Sequence, residues 1–349
     1  MPAKLRILSR IATLVFAAAL ASSASATESK PSPQAEFFKG KTVRLVNGGA
    51  AGSGYDLYSR MLAPWLTKHL GTTVIVESRP GAGMMTAMNH VWNSAPDGLT
   101  IMLAPGEGAV FAKLTDDPAL RFDLTKFPIL ARVNTAPRVL IVFPNGPYKK
   151  MADFAKPQKP IFIGANGKTD GTADTSAVMC HALKIPCKIM IGYPSSKEFS
   201  MAAIRGEVDG TVLVDDSASR YSDGGQLVPL AVISRERAPL MPNVPTIFEE
   251  LTLDAEAQWW LDFRDDLRKI GRLLIVPPGM DQQRLAYLRD VMRKVLTDPE
   301  ALAEFSARNQ PALYGDPGEI EKLVTRALDG SIGAERLKEL RHIITEKFY

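Results

Sequence analysis

The sequence predicts an α/β protein, and three observations carry that reading. Short β-branched runs alternate with segments of helical periodicity, the strand-to-helix junctions are rich in glycine, and 46% apolar with 23% charged residues is ordinary globular composition. At 349 residues the chain is long enough for two cored domains.

The elements follow in order. Lys4, Arg6 and Arg10 precede an apolar run over 11–20, and Ala24-Ser25-Ala26 supplies an A-x-A cleavage site, so residues 1–26 read as a secretory signal peptide. That run is about half the roughly 20 residues a spanning helix needs, and no later stretch is longer, so no membrane anchor of this kind is expected. Cleavage leaves 349 − 26 = 323 residues and takes away three basic residues and no acid, so the formal charge falls from +4 to 4 − 3 = +1. A near-neutral product gives no electrostatic case for nucleic acid. Neither cysteine, Cys180 or Cys187, stands at the mature N-terminus, so the product is expected to be soluble and exported without a lipid anchor. Both flank a turn with Pro186, and an oxidising compartment permits a bridge that Cα geometry must decide.

Residues 27–40 read as a disordered lead-in, polar and Pro-rich. Structure starts near Lys41 with a strand over 42–46, the glycine-rich turn 47–54, and a helix over 55–70 that Gly71 closes. Pro64 lies inside that helix and predicts a kink. The unit repeats as strand 73–77, turn 78–83 and a helix over 84–93, followed by a third strand at 99–103. In the middle of the chain, strands are expected at 139–143, 160–164, 188–192, 210–214 and 227–233, with helices at 172–183, 195–205 and near Ser217. Ser195 with Glu198 makes a capping box. Farther on, Asp281 caps one helix, and two more follow Pro299 and Pro317. The alternation implies parallel sheets flanked by helices.

Parallel topology puts the glycine turns at 47–56, 79–86 and 164–175 together on the carboxyl edge, where ligands bind. Helix N-termini there favour an anion with no basic side chain required. Enzyme motifs fail in detail. Gly81-Ala82-Gly83 lacks the third dinucleotide glycine, which is Thr86, and Gly164-Ala165-Asn166-Gly167-Lys168-Thr169 has two residues between its glycines where a phosphate loop needs four. Ala51 and Tyr55 occupy the glycine positions of a nucleophile elbow around Ser53. His69, His90, His181 and His342 make no zinc spacing with the two cysteines, so neither metal nor cofactor is expected. Asp215-Asp216 reads as a helix N-cap before Ser217 more readily than as a carboxylate dyad.

Several segments together resemble one family. They are Lys41 to Val46 with its glycine turn and Tyr55-Asp56, Glu77-Ser78-Arg79-Pro80-Gly81-Ala82-Gly83, Ala95-Pro96-Asp97-Gly98 and Gly192-Tyr193-Pro194. Gly206-Glu207-Val208-Asp209-Gly210, Pro242-Asn243-Val244-Pro245-Thr246 and Val276-Pro277-Pro278-Gly279 complete the set. In order and spacing the chain resembles the Bug family, the extracytoplasmic receptors of tripartite tricarboxylate transporters. The resemblance implies a type II periplasmic-binding fold, two doubly wound lobes closing on a small organic carboxylate in the cleft between them. It implies a discontinuous first domain, 41–141 with 246–349, around a second at 142–245. The chain would cross near 139–145 and return near 234–246.

Carried onto this sequence, Gly48, Gly49, Ser53 and Tyr55 form the first cradle, and Gly81, Ala82 and Gly83 the second. Asn166, Thr172, Ala173 and Tyr193 are the matching second-domain positions. The turn at 47–54 departs from the family's Pro-Gly-Gly element, and Met84 and Met85 replace small residues, enlarging the apolar lining. The implied partners are the large and small membrane subunits of the transporter, and the implied receptor is a monomer that does no chemistry. A ligand-presenting sensor for a membrane kinase, and a periplasmic hydrolase using Ser53 or Asp215-Asp216, are the competing classes. Arg79 is expected to pair with neighbouring acids more readily than with a second ligand carboxylate, and Glu107 and Asp215, if they reach the cleft, to select against polyanions and for a ligand with a donor group.

Overall fold

Two five-stranded sheets organise the protein, here a computed structural model that describes residues 32–135, 137–168 and 170–349. The expected signal peptide lies outside the described residues. The first sheet contains β1 (Thr42–Asn47), β2 (Thr73–Ser78), β3 (Thr100–Pro105), β4 (Ile129–Asn134) and β10 (Arg272–Ile275), in the order β2-β1-β3-β10-β4. The second contains β5 (Arg138–Val142), β6 (Ile161–Gly164), β7 (Cys187–Met190), β8 (Gly210–Val214) and β9 (Val228–Val232), in the order β7-β6-β8-β5-β9. The first sheet's β4 ends at Asn134 and the second sheet's β5 begins at Arg138, ahead of the expected 141/142 boundary.

Eleven helices of eight residues or more flank these sheets among the described residues. After the first three strands come α1 (Gly54–Leu70), α2 (Met85–Trp92) and α3 (Gly106–Leu114). Within the second-sheet stretch lie α4 (Gly171–Ala182), α5 (Ser196–Ile204) and α6 (Asp215–Ser222). The remainder are α7 (Ala255–Arg268), α8 (Gln282–Thr297), α9 (Pro299–Ala307), α10 (Pro317–Leu328) and α11 (Ala334–His342). None of the described helices is long and apolar enough to cross a membrane.

The sheets are mixed rather than parallel throughout. β2, β1 and β3 run parallel, but β10 enters antiparallel between β3 and β4. In the second sheet β7, β6 and β8 are parallel, and β5 runs antiparallel to both β8 and β9. Strand periodicity carries no direction, so the alternation rule missed both reversals.

The expected disorder over 27–40 is corrected for its described part. Pro33–Phe38 forms a helix, with proline at a first-turn position that suits its fixed φ. Phe38 is fully buried and stacks on Tyr287 with ring centroids 5.7 Å apart, so an apolar anchor outweighs the polar composition before it. Ser195 caps α5 by accepting from the Lys197 amide, while its hydroxyl donates to the Glu198 carboxylate and the Glu198 amide goes to the Ser195 carbonyl, so neither bond of the expected capping box is made. Asp215 and Asp216 occupy the first turn of α6, whose N-cap is Val214, instead of capping it. Cys180 and Cys187 form a disulfide with Cα atoms 6.2 Å apart, at the end of α4 and the start of β7.

Candidate functional site

The carboxyl ends of parallel strands from both sheets converge on one cavity, about 730 Å³ with its open mouth included. From the first sheet come Gly49, Ser53 and Tyr55 after β1, Met84 after β2 and Glu107 after β3. From the second come Thr172 after β6, Pro194 to Ser196 after β7, and Leu213, Val214 and Ser217 around the end of β8. An antiparallel strand has its amino end at that edge. Arg272 opens β10 opposite Pro105, the last residue of β3, and Arg138 opens β5 opposite Val214, the last residue of β8. The two reversed strands therefore each deliver an arginine to the cavity.

Local chemistry fixes the first turn. The Asn47 side chain accepts from the Gly49 amide and donates to the Ser78 hydroxyl, joining the ends of β1 and β2. Asp56 accepts from the Gly52 amide and from Ser78, and pairs with Arg60. Ser53 caps α1 by accepting from the Asp56 amide. The amides of Gly54 and Tyr55 keep no partner among the described residues, so the open donors of this helix face the cavity. A Cβ on Gly54 would stand 3.6 Å from both Arg272 Nη2 and the Ser217 hydroxyl, which places the α1 terminus beside these groups on the cavity wall.

The arginines form reciprocal ion pairs between elements of the two sheets. Arg138 of the second sheet bonds Glu107 in the first turn of α3, which follows β3. Arg272 of the first sheet bonds Asp216 in the first turn of α6, which follows β8, at 2.9 Å. Arg264 on α7 is buried and joins Glu107 (3.2 Å) to Asp174 of α4 (2.6 Å). Arg268, also on the cavity, pairs with Asp265. Arg272 further lies over the Tyr55 and Tyr58 rings, 5.3 and 4.4 Å from their centroids. Gly171 is required because a Cβ there would overlap the Arg138 guanidinium.

Electrostatics follow from this packing. Burial pushes the Glu107 carboxyl upward, but Arg138 and Arg264 outweigh it and hold the group ionised. Asp174 moves the other way, because burial exceeds the help of Arg264 and its Oδ2 has no hydrogen-bond partner. Asp215 is pushed up to about 6 by burial and by the neighbouring Asp216. Burial raises the Tyr55 phenol to about 12, against Arg272, so it remains a hydroxyl donor.

The expected residues divide. Gly49, Ser53, Tyr55 and Thr172 line the main cavity, and Gly83 lines a smaller adjoining one that shares Tyr55, Met84, Glu107 and Arg138. Gly48, Gly81 and Ala82 do not line either. Gly81, Ala82, Gly83 and Met84 all have positive φ, and this left-handed run turns the Met84 side chain onto Gly48 and into the cavity. Met85 is buried in the core instead of enlarging the lining. Asn166 spends its side-chain amide on the Tyr193 carbonyl, and the Tyr193 ring packs edge-on to Phe199. Ala173 is buried, and its amide, like that of Thr172, is taken by the Asp170 cap. The α4 terminus is therefore already filled by a carboxylate, and basic side chains border the site, against the expectation of a bare-amide anion site.

Arg79 pairs with Glu77 and does not line the cavity. Sequence reasoning missed Arg138, Arg264, Arg268 and Arg272. A signal existed on α7, where Arg264 and Arg268 continue the buried stripe of Trp260 at i+4 and i+8.

Residues 58–331 match the sequence profile of the tripartite tricarboxylate transporter family receptor. The chain belongs to that family. It is similar to a UPF0065 protein of Bordetella pertussis, 28% identical over 307 residues that cover 87% of this chain and 88% of the relative. Among solved structures, the periplasmic binding protein BugD matches with TM-score 0.72 at 19% identity, covering 86% of this chain and 97% of BugD. MatC from Rhodopseudomonas palustris, solved with bound malate, matches with TM-score 0.71 at 20% identity, covering 88% and 100%. These likenesses establish the two-lobe periplasmic-binding fold for this receptor, with the cavity lying where the two sheets face each other.

Proposed function

We propose that this receptor works in the periplasm, captures a small organic carboxylate as its lobes close, and delivers it unchanged to the membrane subunits of a tripartite tricarboxylate transporter. The lobes are proposed to divide at the sheet crossings, with residues 138–232 forming the second lobe in place of the expected 142–245. The observation that carries the reading is the pair of open amides on Gly54 and Tyr55, on the cavity wall beside Arg272. The two amides and an Arg272 N–H offer three donors to one anion, while the Ser217 hydroxyl is spent on Asp216. At roughly 1.5–3 kcal/mol per charge-assisted bond these donors supply about 5–9 kcal/mol before the ordering cost, on the scale of the about 8 kcal/mol of a micromolar complex.

Thermal denaturation of the purified protein with a set of carboxylates, sugars and amines tests the reading. A micromolar carboxylate at hundredfold excess over Kd adds about 2.7 kcal/mol, and the ligand should be recovered unaltered. Stabilisation by sugars or amines without any by a carboxylate refutes the substrate class.

A further inference from the structure

We propose that the cleft is selective for a ligand bearing one carboxylate and, at its other end, a neutral or cationic hydrogen-bond donor received by Glu107, and that it discriminates against dicarboxylates. The inference rests on the carboxylate-receptor reading and deepens it. Each guanidinium on the main cavity already has an acid: Arg138 has Glu107, Arg268 has Asp265 and Arg272 has Asp216. Arg264, behind the wall, is shared between Glu107 and Asp174. Four cations thus meet four anions, while Asp170 beside the smaller cavity and Asp215 beside Asp216 add two acids against one further base, Arg220, whose guanidinium reaches the Ser217 hydroxyl at 3.5 Å. The site has no surplus positive charge among the described residues.

One ligand carboxylate can be served without surplus charge, because the open amides of Gly54 and Tyr55 are fixed dipoles at the α1 terminus. A second carboxylate would meet Glu107, which borders both cavities and is held ionised. Like charges at close quarters in a partly desolvated cleft repel strongly. Glu107 accepts one bond on each oxygen, from Arg138 and from Arg264, so two of about four acceptor sites remain open to a donor. An amide or ammonium group satisfies them, and a carboxylate cannot. Rejection by an unmatched buried polar group is the stronger form of discrimination.

The test is titration calorimetry at pH 7.5 with matched acids of three to six carbons, each dicarboxylate beside its monoamide and its ω-amino counterpart. The tightest binder should be a monoamide or amino acid, at least tenfold tighter than the dicarboxylate of equal length. Glu107→Gln should shrink that ratio at least tenfold, while the wild-type ranking is decisive by itself if the variant fails to fold. A dicarboxylate that binds as tightly as its matched analogues overturns the selectivity and leaves the receptor reading standing. Failure of every member to bind removes both.

Discussion

Replacing Arg272 with methionine should cost the protein about 4 kcal/mol, because the substitution strands a buried carboxylate. Asp216 is 1% exposed, and Arg272 holds its Oδ2 at 2.9 Å, while the Ser217 hydroxyl on Oδ1 stays in place. Breaking a buried pair from one side typically costs 3–5 kcal/mol. The thioether keeps part of the packing on Tyr55 and Tyr58 but loses the cation over their rings, a further loss of about 1 kcal/mol. At roughly 2 °C per kcal/mol for a chain of this size, Tm should fall by about 8 °C or more. Arg272→Met with Asp216→Asn removes the stranded charge and should recover at least half of the loss. Urea unfolding of wild type, both single variants and the double variant gives the coupling energy. A single-variant loss under about 1 kcal/mol, or a double variant no better than Arg272→Met, would show that the pair does not join the lobes as described.

Two further outcomes follow from the same packing. Asp215 has its pKa raised from the ordinary 3.8 to about 6, so the folded protein holds more protons than the unfolded chain between those values, and stability falls as pH rises through that window. About two pH units correspond to up to about 3 kcal/mol, so Asp215→Asn should stabilise by that order at pH 7.5 and hardly at pH 4, measured by denaturant titration; equal effects at both pH values would contradict this. Cys180→Ala with Cys187→Ala opens a short loop worth about 2.5 kcal/mol in chain entropy, away from the cavity. Stability should drop by that order with ligand affinity unchanged, and a tenfold loss of affinity would refute their separation.

Local pattern made much of this fold readable. The strand expected at 42–46 is β1, that at 210–214 is β8, and the Asp281 cap opens α8, because β-branched runs and caps act through neighbouring residues. Gly49, Ser53, Tyr55 and Thr172 reach the main cavity since strand ends in parallel units share one edge. β4, β10, α3 and α7 were not read. β10 is four residues long and its direction is set only by its neighbours, and α7 buries arginines that composition alone assigns to the surface. The Gly81 turn misled for a related reason: glycine permits close approach, but here positive φ at Ala82 and Met84 puts a side chain where backbone amides were expected.

The interposed position of β10 has a consequence for how the chain assembles. All five strands of the second sheet come from one continuous stretch, so that sheet can complete itself through short-range closures. The first cannot. Until residues 272–275 arrive, β3 and β4 each present a raw border to the gap between them, and such borders invite pairing with foreign strands. Synthesis therefore leaves one half of this molecule unsealed while the other is already whole, and the last strand to arrive carries the arginine that then ties the halves together.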